Sequence, residues 1–317
     1  MDSLTHTLSG IVVSSLGLRQ EFRWPGIIVF TAAALFPDVD FLFNYISHSI
    51  YVRFHRGFTH SFIYLPVFAL LLAVIFYFLF KSIGFKNLYL ICLAGIALHL
   101  MLDIVNSYGT PVLMPFSSAQ YSLNLDVIID AYVLGPLLLG AIAVWAWPSF
   151  QKHTAIIVLA IIISGFLFRF IQQQQAAHLI AKIESSDRTV LIPAGMGTIY
   201  NPFTWQAIIP RDNGYNIYSV NSARGQVSGP HFVTHQMDEI NTFRQKSRVV
   251  RDFLNWSRFP FGRVEQTESG TLVKLSDLRF QFGTQERYML IVRFNKDGTL
   301  VSEKFGFSHR VTQMDTD

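Results

Sequence analysis

The chain has 317 residues, 51% hydrophobic and only 15% charged, with a net charge of +4. That balance is too apolar for an ordinary soluble protein and indicates membrane insertion. No basic block marks a nucleic-acid surface, so no nucleic-acid partner is expected. The single cysteine, Cys92, excludes an internal disulfide and a cysteine-based zinc cluster.

In chain order, the N-terminus lacks a basic region before its first apolar run, and the first arginine is Arg19, so no cleavable signal is read. Apolar segments then fall at 4–18, 26–46, 62–80, 87–105, 127–147 and 154–171. A span needs roughly 20 residues, which predicts about six membrane helices with the first the shortest. The second is interrupted by Pro37-Asp38-Val39-Asp40, and Gln172–Gln175 closes the last. Beyond it, 190–193, 215–220, 271–275 and 288–294 read as strands, Asn295–Gly298 as a turn and 301–307 as a hairpin partner. Residues 237–257 read as one amphipathic helix. The predicted fold is an α-helical membrane bundle, residues 1–175, followed by a smaller soluble α+β, mainly β, C-terminal domain, residues 176–317.

Lysines and arginines set the orientation. Arg19, Arg23, Lys81, Lys86 and Lys152 occupy alternate loops, which are expected to be cytoplasmic. Arg53, Arg56 and Arg169 fall at the opposite ends. This predicts a plasma (inner) membrane protein with an extracytoplasmic C-terminal domain. It also sets His6, Asp38, Asp40, His60, His99, Asp103, Asp126 and Asp130 at one depth, near the outer face.

Ionisable groups inside apolar segments cost several kcal/mol unless paired, ligated or wet. Imidazole and carboxylate are also the ligands that divalent metals prefer. His99 and Asp103, four apart, leave one face of a helix one turn apart. Asp38 and Asp40 repel each other unless a cation, a shared proton or a basic group such as Arg56 compensates them. The run His55-Arg56-Gly57-Phe58-Thr59-His60-Ser61 adds two imidazoles, a guanidinium suited to phosphate or carboxylate, and two hydroxyls. Asp126 and Asp130 are again four apart, and Asp130 is a possible further ligand.

The motifs Met1-Asp2-Ser3-Leu4-Thr5-His6, Pro37-Asp38-Val39-Asp40, His55 to Ser61, His99-x-x-x-Asp103, Ser107-Tyr108-Gly109-Thr110 and Pro115-Phe116-Ser117 occur in this order. Together they resemble the YdjM-type family of membrane-bound proteins assigned as metal-dependent hydrolases, especially its longer, YfhP-like members. The resemblance covers roughly residues 1–150. It implies an inner or plasma membrane protein with a divalent-metal hydrolase activity, itself mostly inferred within the family.

The expected function is a membrane-embedded hydrolase using one or two divalent ions, zinc or else manganese or iron. The proposed ligands are His6, Asp38, Asp40, His55, His60, His99, Asp103 and Asp130. Asp40 would take a proton from water and Arg56 would hold an anionic substrate group. Headgroup depth suggests a phosphoester or lipid-related substrate. Two other readings use the same residues. A metal-ion or proton transporter requires access from both faces, whereas these groups gather at one. A non-enzymatic membrane scaffold would keep them as a structural metal site.

Overall fold

Backbone polar groups in lipid must be satisfied within the segment, so the apolar runs fold as helices. The structure is a computed structural model that describes residues 1–194, 201–280 and 289–306. Helix α1 (Ser3–Ser14) begins where the Asp2 side chain accepts the N–H groups of Leu4 and Thr5. Helix α2 (Leu18–Leu35) tightens after Leu35 into a 3-10 segment, Phe36–Tyr45. Pro37 falls at that change, where its ring and missing N–H disfavour α-helix. Next come α3 (His48–Phe54), a 3-10 turn (Phe58–His60), α4 (Leu65–Leu79), α5 (Phe85–Val105), α6 (Ala131–Ala146) and α7 (Gln151–Ala181).

Each of the six expected segments is helical over most of its length, but they are unequal. Among the described residues, Leu18–Tyr45, Phe85–Val105 and Pro148–Ala181 are long and apolar enough to cross a bilayer. The bent pair Ile50–His60 and Leu65–Leu79 passes only when taken as one span. With 12 residues, α1 extends about 18 Å, well short of a hydrocarbon core of about 30 Å.

Two compact units divide the chain. The first comprises Met1–Asp40, Arg56–Ala177 and the described residues of Ile192–Trp205. Its core has two clusters. Phe30, Leu72, Leu88, Ile96 and Leu100 pack α2, α4 and α5, while Leu8, Val12, Leu137, Val158 and Ile162 pack α1, α6 and α7. Small residues permit this approach. A Cβ on Gly95 would lie 2.8 Å from the Phe30 carbonyl oxygen and from the Ala33 Cβ, so α5 touches α2 backbone to backbone.

The second unit comprises Phe41–His55, His178–Leu191 and the described residues of Gln206–Asp317. Within it α3, from the loop after α2, packs on a C-terminal helix, α9 (Arg248–Trp256). The C-terminal part holds two four-stranded sheets. One follows the order β1 (Val190–Pro193), β2 (Thr204–Arg211), β3 (Gly214–Asn221), β4 (Gln226–Thr234); the other β5 (Pro260–Thr267), β6 (Gly270–Asp277), β7 (Leu290–Asn295), β8 (Leu300–Phe305). The β3–β4, β5–β6, β6–β7 and β7–β8 ladders are antiparallel.

The single helix expected over 237–257 is two: α8 (Met237–Phe243) and then α9. Ser247 breaks the run by capping α9, its hydroxyl accepting the Val250 N–H at 3.3 Å. Strand β7 begins at Leu290; Tyr288 and Phe307, in the expected strands, lie outside the described residues, as does His309.

Candidate metal centre

The centre is built from the start of α1, the 3-10 segment after α2, the C-terminal half of α5 and the turn before α4. His99 lies one turn beyond Gly95, where α5 and α2 are in contact. Its Nδ1 sits 2.7 Å from the Ala34 carbonyl oxygen. A carbonyl only accepts, so Nδ1 carries a proton, and in the neutral ring Nε2 presents a lone pair to the interior. His60 is oriented in the same sense. The Thr59 hydroxyl donates to Asp40 Oδ2 at 3.0 Å, leaving its oxygen to accept from His60 Nδ1, also at 3.0 Å. In the neutral ring His60 Nε2 then presents a lone pair too. The two Nε2 atoms face each other at 3.1 Å. Two neutral imidazoles in these tautomers have no proton to share there.

Asp103, one turn after His99, completes this convergence. Its Oδ2 lies 3.3 Å from His60 Nε2 and 3.6 Å from His99 Nε2, and has no hydrogen-bond donor. Its Oδ1 accepts from Arg56 Nη2 at 2.9 Å and contacts the Met1 amino group. His6, on α1, stacks on His99 at 3.7 Å between centroids, and neither of its ring nitrogens has a hydrogen-bond partner. Asp38 brings Oδ1 to 3.7 Å from His60 Nε2 and 3.6 Å from His99 Nε2, while Oδ2 accepts from the Ser3 hydroxyl at 2.9 Å. Two groupings have ligand atoms within 4.8 Å of one another: His6, Asp38 and His99, and His60, His99 and Asp103.

Asp40 lies in neither grouping. Its Oδ2 accepts the Arg56 backbone N–H at 2.8 Å and the Thr59 hydroxyl, and lies 3.4 Å from His60 Nδ1. It stands behind His60, on the side away from the converging lone pairs. Arg56 takes φ of 57°, a conformation rare outside glycine that costs about 1–3 kcal/mol; it aims the Arg56 N–H at Asp40. The Arg56 guanidinium lies 4.2 Å over the Tyr108 ring, donates to Thr110 Oγ1 at 3.2 Å, and keeps a buried Nε without a partner.

Two expected ligands are not brought to this cluster. His55 belongs to the second unit and stacks on Tyr51 at 4.4 Å. Asp130 caps α6 through the Tyr132 N–H at 2.7 Å and pairs with Arg169 Nη1 at 2.5 Å. The same Arg169 atom lies 3.1 Å from Asp126 Oδ1. Asp126 and Asp130 are thus a buried ion cluster with a cation from α7. Sequence reasoning missed Thr59 as the link between Asp40 and His60, and the Ala34 carbonyl, which carries no residue-type signal.

These residues fit a divalent ion. Unpartnered buried polar atoms each cost about 1–3 kcal/mol, and here both His6 nitrogens and Asp103 Oδ2 lie without partners, beside the Nε2 atoms of His60 and His99. With the histidines neutral, Asp38, Asp40 and Asp103 outnumber the two cations at the site, Arg56 and the Met1 amino group. Nitrogen and carboxylate donors together suit zinc, manganese or iron.

Apolar helices of spanning length with a buried cluster of histidines and carboxylates define an integral membrane protein with a candidate metal centre. Residues 1–176 match the family described as YdjM inner membrane protein, and the chain belongs to that family. Residues 239–317 match the YfhP C-terminal alpha/beta plait domain. A curated relative, "Uncharacterized protein YfhP" from Bacillus subtilis (strain 168), is 24% identical over 319 residues, covering 97% of this chain and 95% of its own. No solved structure matches the chain.

Proposed function

We propose that this protein is a membrane-embedded, divalent-metal-dependent hydrolase acting on a phosphoester or lipid-related substrate near the outer leaflet. The observation that carries the reading is the convergence of His60 Nε2, His99 Nε2 and Asp103 Oδ2, all fully buried. His6 and Asp38 extend the ligand set. His99 Nε2 serves both groupings, and one lone pair binds one ion, so as arranged they favour one centre over two. A divalent ion bound there supplies Lewis acidity toward an anionic oxygen and acidifies water.

The chain's own groups supply the rest. Asp40 and Thr59 hold the His60 ring, and the Ala34 carbonyl holds His99, as outer-shell partners do in metal sites. Asp40 is thereby a positioning residue rather than the base. Asp38, the site carboxylate with an exposed edge, would take the proton from water through Oδ2, the oxygen turned away from the ligand cluster. Arg56 offers the anion partner through its guanidinium.

An extracytoplasmic C-terminal domain is supported by two observations. Arg56 and Arg169 are buried and ion-paired, so they do not offset the lysine and arginine bias of the opposite loops. Phe41–His55, from the loop after the second segment, forms one compact unit with the C-terminal domain, which is consistent with both lying on one side.

Protein purified in detergent is expected to carry stoichiometric metal by elemental analysis and to hydrolyse members of a phosphoester panel. The double variant His60→Ala/Asp103→Ala is expected to lose both. Metal-free protein whose melting temperature does not respond to divalent ions, or equal activity in the double variant, overturns the proposal. Cysteine labelling at Lys86 and Lys152 from outside would overturn the orientation.

A further inference from the structure

The centre is closed on almost every side. His6, His60, His99 and Asp103 are fully buried, and Asp40 and Arg56 nearly so. Asp38 is the exception, with 13% of its side chain exposed. A ligand approaching the cluster meets Asp38 first.

What surrounds Asp38 is not set in a polar loop. Asp38 and Val39 lie inside Leu18–Tyr45, one of the segments apolar enough to span a bilayer. The Ser3 hydroxyl bonds to Asp38 and ties the start of α1 to the same place. The residue after each of this pair is apolar and turned outward: Leu4 is 52% exposed and Val39 44%. In water such exposure is a cost, whereas against lipid it is not. The opening therefore has apolar flanks suited to an acyl chain. Within the cluster, the buried Arg56 guanidinium pairs with Asp103 and keeps Nε unpartnered, a donor for an anionic head.

We propose that the centre is loaded sideways from the bilayer, past Asp38 and beside Leu4 and Val39, and that its substrates are anionic amphiphiles: phosphoesters bearing a long apolar chain. The choice of substrate rests on the hydrolase reading; the route of entry does not. In the reaction, the oxygen of water bonds to phosphorus, the bond from phosphorus to the leaving oxygen breaks, and the leaving alcohol gains a proton.

The entry route is tested without activity. Nitroxide labels on Leu4→Cys and Val39→Cys, in the full chain in lipid nanodiscs, are expected to collide with dissolved oxygen several-fold more than with a water-soluble nickel chelate. The opposite preference at both sites overturns lateral entry. The substrate class is tested with two phosphoesters that share a head and differ in chain length, one micelle-forming and one freely soluble, on metal-loaded wild type. The long-chain compound is expected to give at least tenfold higher kcat/KM, and Val39→Glu to reduce that value about tenfold with metal content unchanged. Equal kcat/KM for both compounds overturns the amphiphile and leaves hydrolysis standing. Hydrolysis of neither compound, nor of the wider panel, overturns the hydrolase reading and the substrate class together, and the label preference then still decides the route.

Discussion

Asp103 in the membrane half and Asp277 in the C-terminal half are both fully buried and both face an arginine, yet their surroundings are opposite. Asp277 is saturated. It accepts from the Ser257 hydroxyl, from the N–H groups of Arg258 (2.8 Å), Phe259 (3.4 Å) and Arg279 (2.8 Å), and from Arg279 Nε (3.0 Å) and Nη2 (2.8 Å). The Arg279 guanidinium in turn lies 4.8 and 5.1 Å from the ring centroids of Trp256 and Phe280. Asp103 has one oxygen engaged by Arg56 and the Met1 amino group, and the other, without a hydrogen-bond partner, facing the Nε2 atoms of His60 and His99. Burial and an arginine are common to both, so neither marks a functional carboxylate. The discriminating feature is an acceptor left without a donor where other acceptors converge. Asp277 has the surroundings of a structural ion pair, and Asp103 those the proposed metal centre requires of a ligand.

The strongest way to break this comparison is to remove each carboxylate. Asp277→Ala leaves Arg279 buried without its charge partner, and the C-terminal domain is expected to lose about 3–5 kcal/mol. Urea denaturation followed by protection of β6 amides reads this, with metal content unchanged in protein that remains folded. A loss below about 1 kcal/mol would show that the buried pair is not structural. Asp103→Ala is expected to do the converse, weakening metal affinity by more than about 100-fold, beyond the range of outer-shell changes. Retained stoichiometric metal in this variant would put Asp103 in the same class as Asp277.

Asp40 sharpens the contrast from the other direction. Behind His60, it holds the ring in the function proposed above. Asp40→Asn keeps an oxygen that accepts from Thr59 and is expected to weaken metal affinity by about 10–100-fold, less than Asp103→Ala. An effect as large as that of Asp103→Ala would instead make Asp40 a direct ligand.

The order of these effects follows from what was legible in the sequence. His6, Asp38, His60, His99 and Asp103 stand out because charge is rare in apolar segments, and the i, i+4 spacing of His99 and Asp103 fixes their common face. Asp130 carries the same signal, and composition cannot separate the two cases. Its partner, Arg169, is 39 positions away on α7, so only the packing of α6 against α7 reveals the pair. His55 sits in a His-rich motif, but the chain after Asp40 leaves the first unit and returns at Arg56. The motif is therefore split between two units, which periodicity does not register. In the C-terminal half, the expected strands alternate or are β-branched. Strand β4, mostly exposed and containing Gly229 and Pro230, gives no such pattern. Ser247, a single capping hydroxyl, divides what reads as one amphipathic helix.

The smallest expected effect concerns acid. Burial pushes the Asp277 carboxyl up, but the Arg279 charge and the surrounding hydrogen bonds outweigh it and hold the group below its ordinary value. A carboxylate depressed in the folded state contributes stability above its unfolded pKa, about 3.9, and loses it as pH falls through the folded value. The advantage of wild type over Asp277→Asn in urea midpoint is therefore expected to be constant from neutral pH down to about 5 and to shrink below about 4. Asparagine cannot titrate, so the variant removes the other carboxylates from the comparison. An advantage that grew as pH fell would mean that Asp277 is held protonated, and that its ring of donors does not serve a charge.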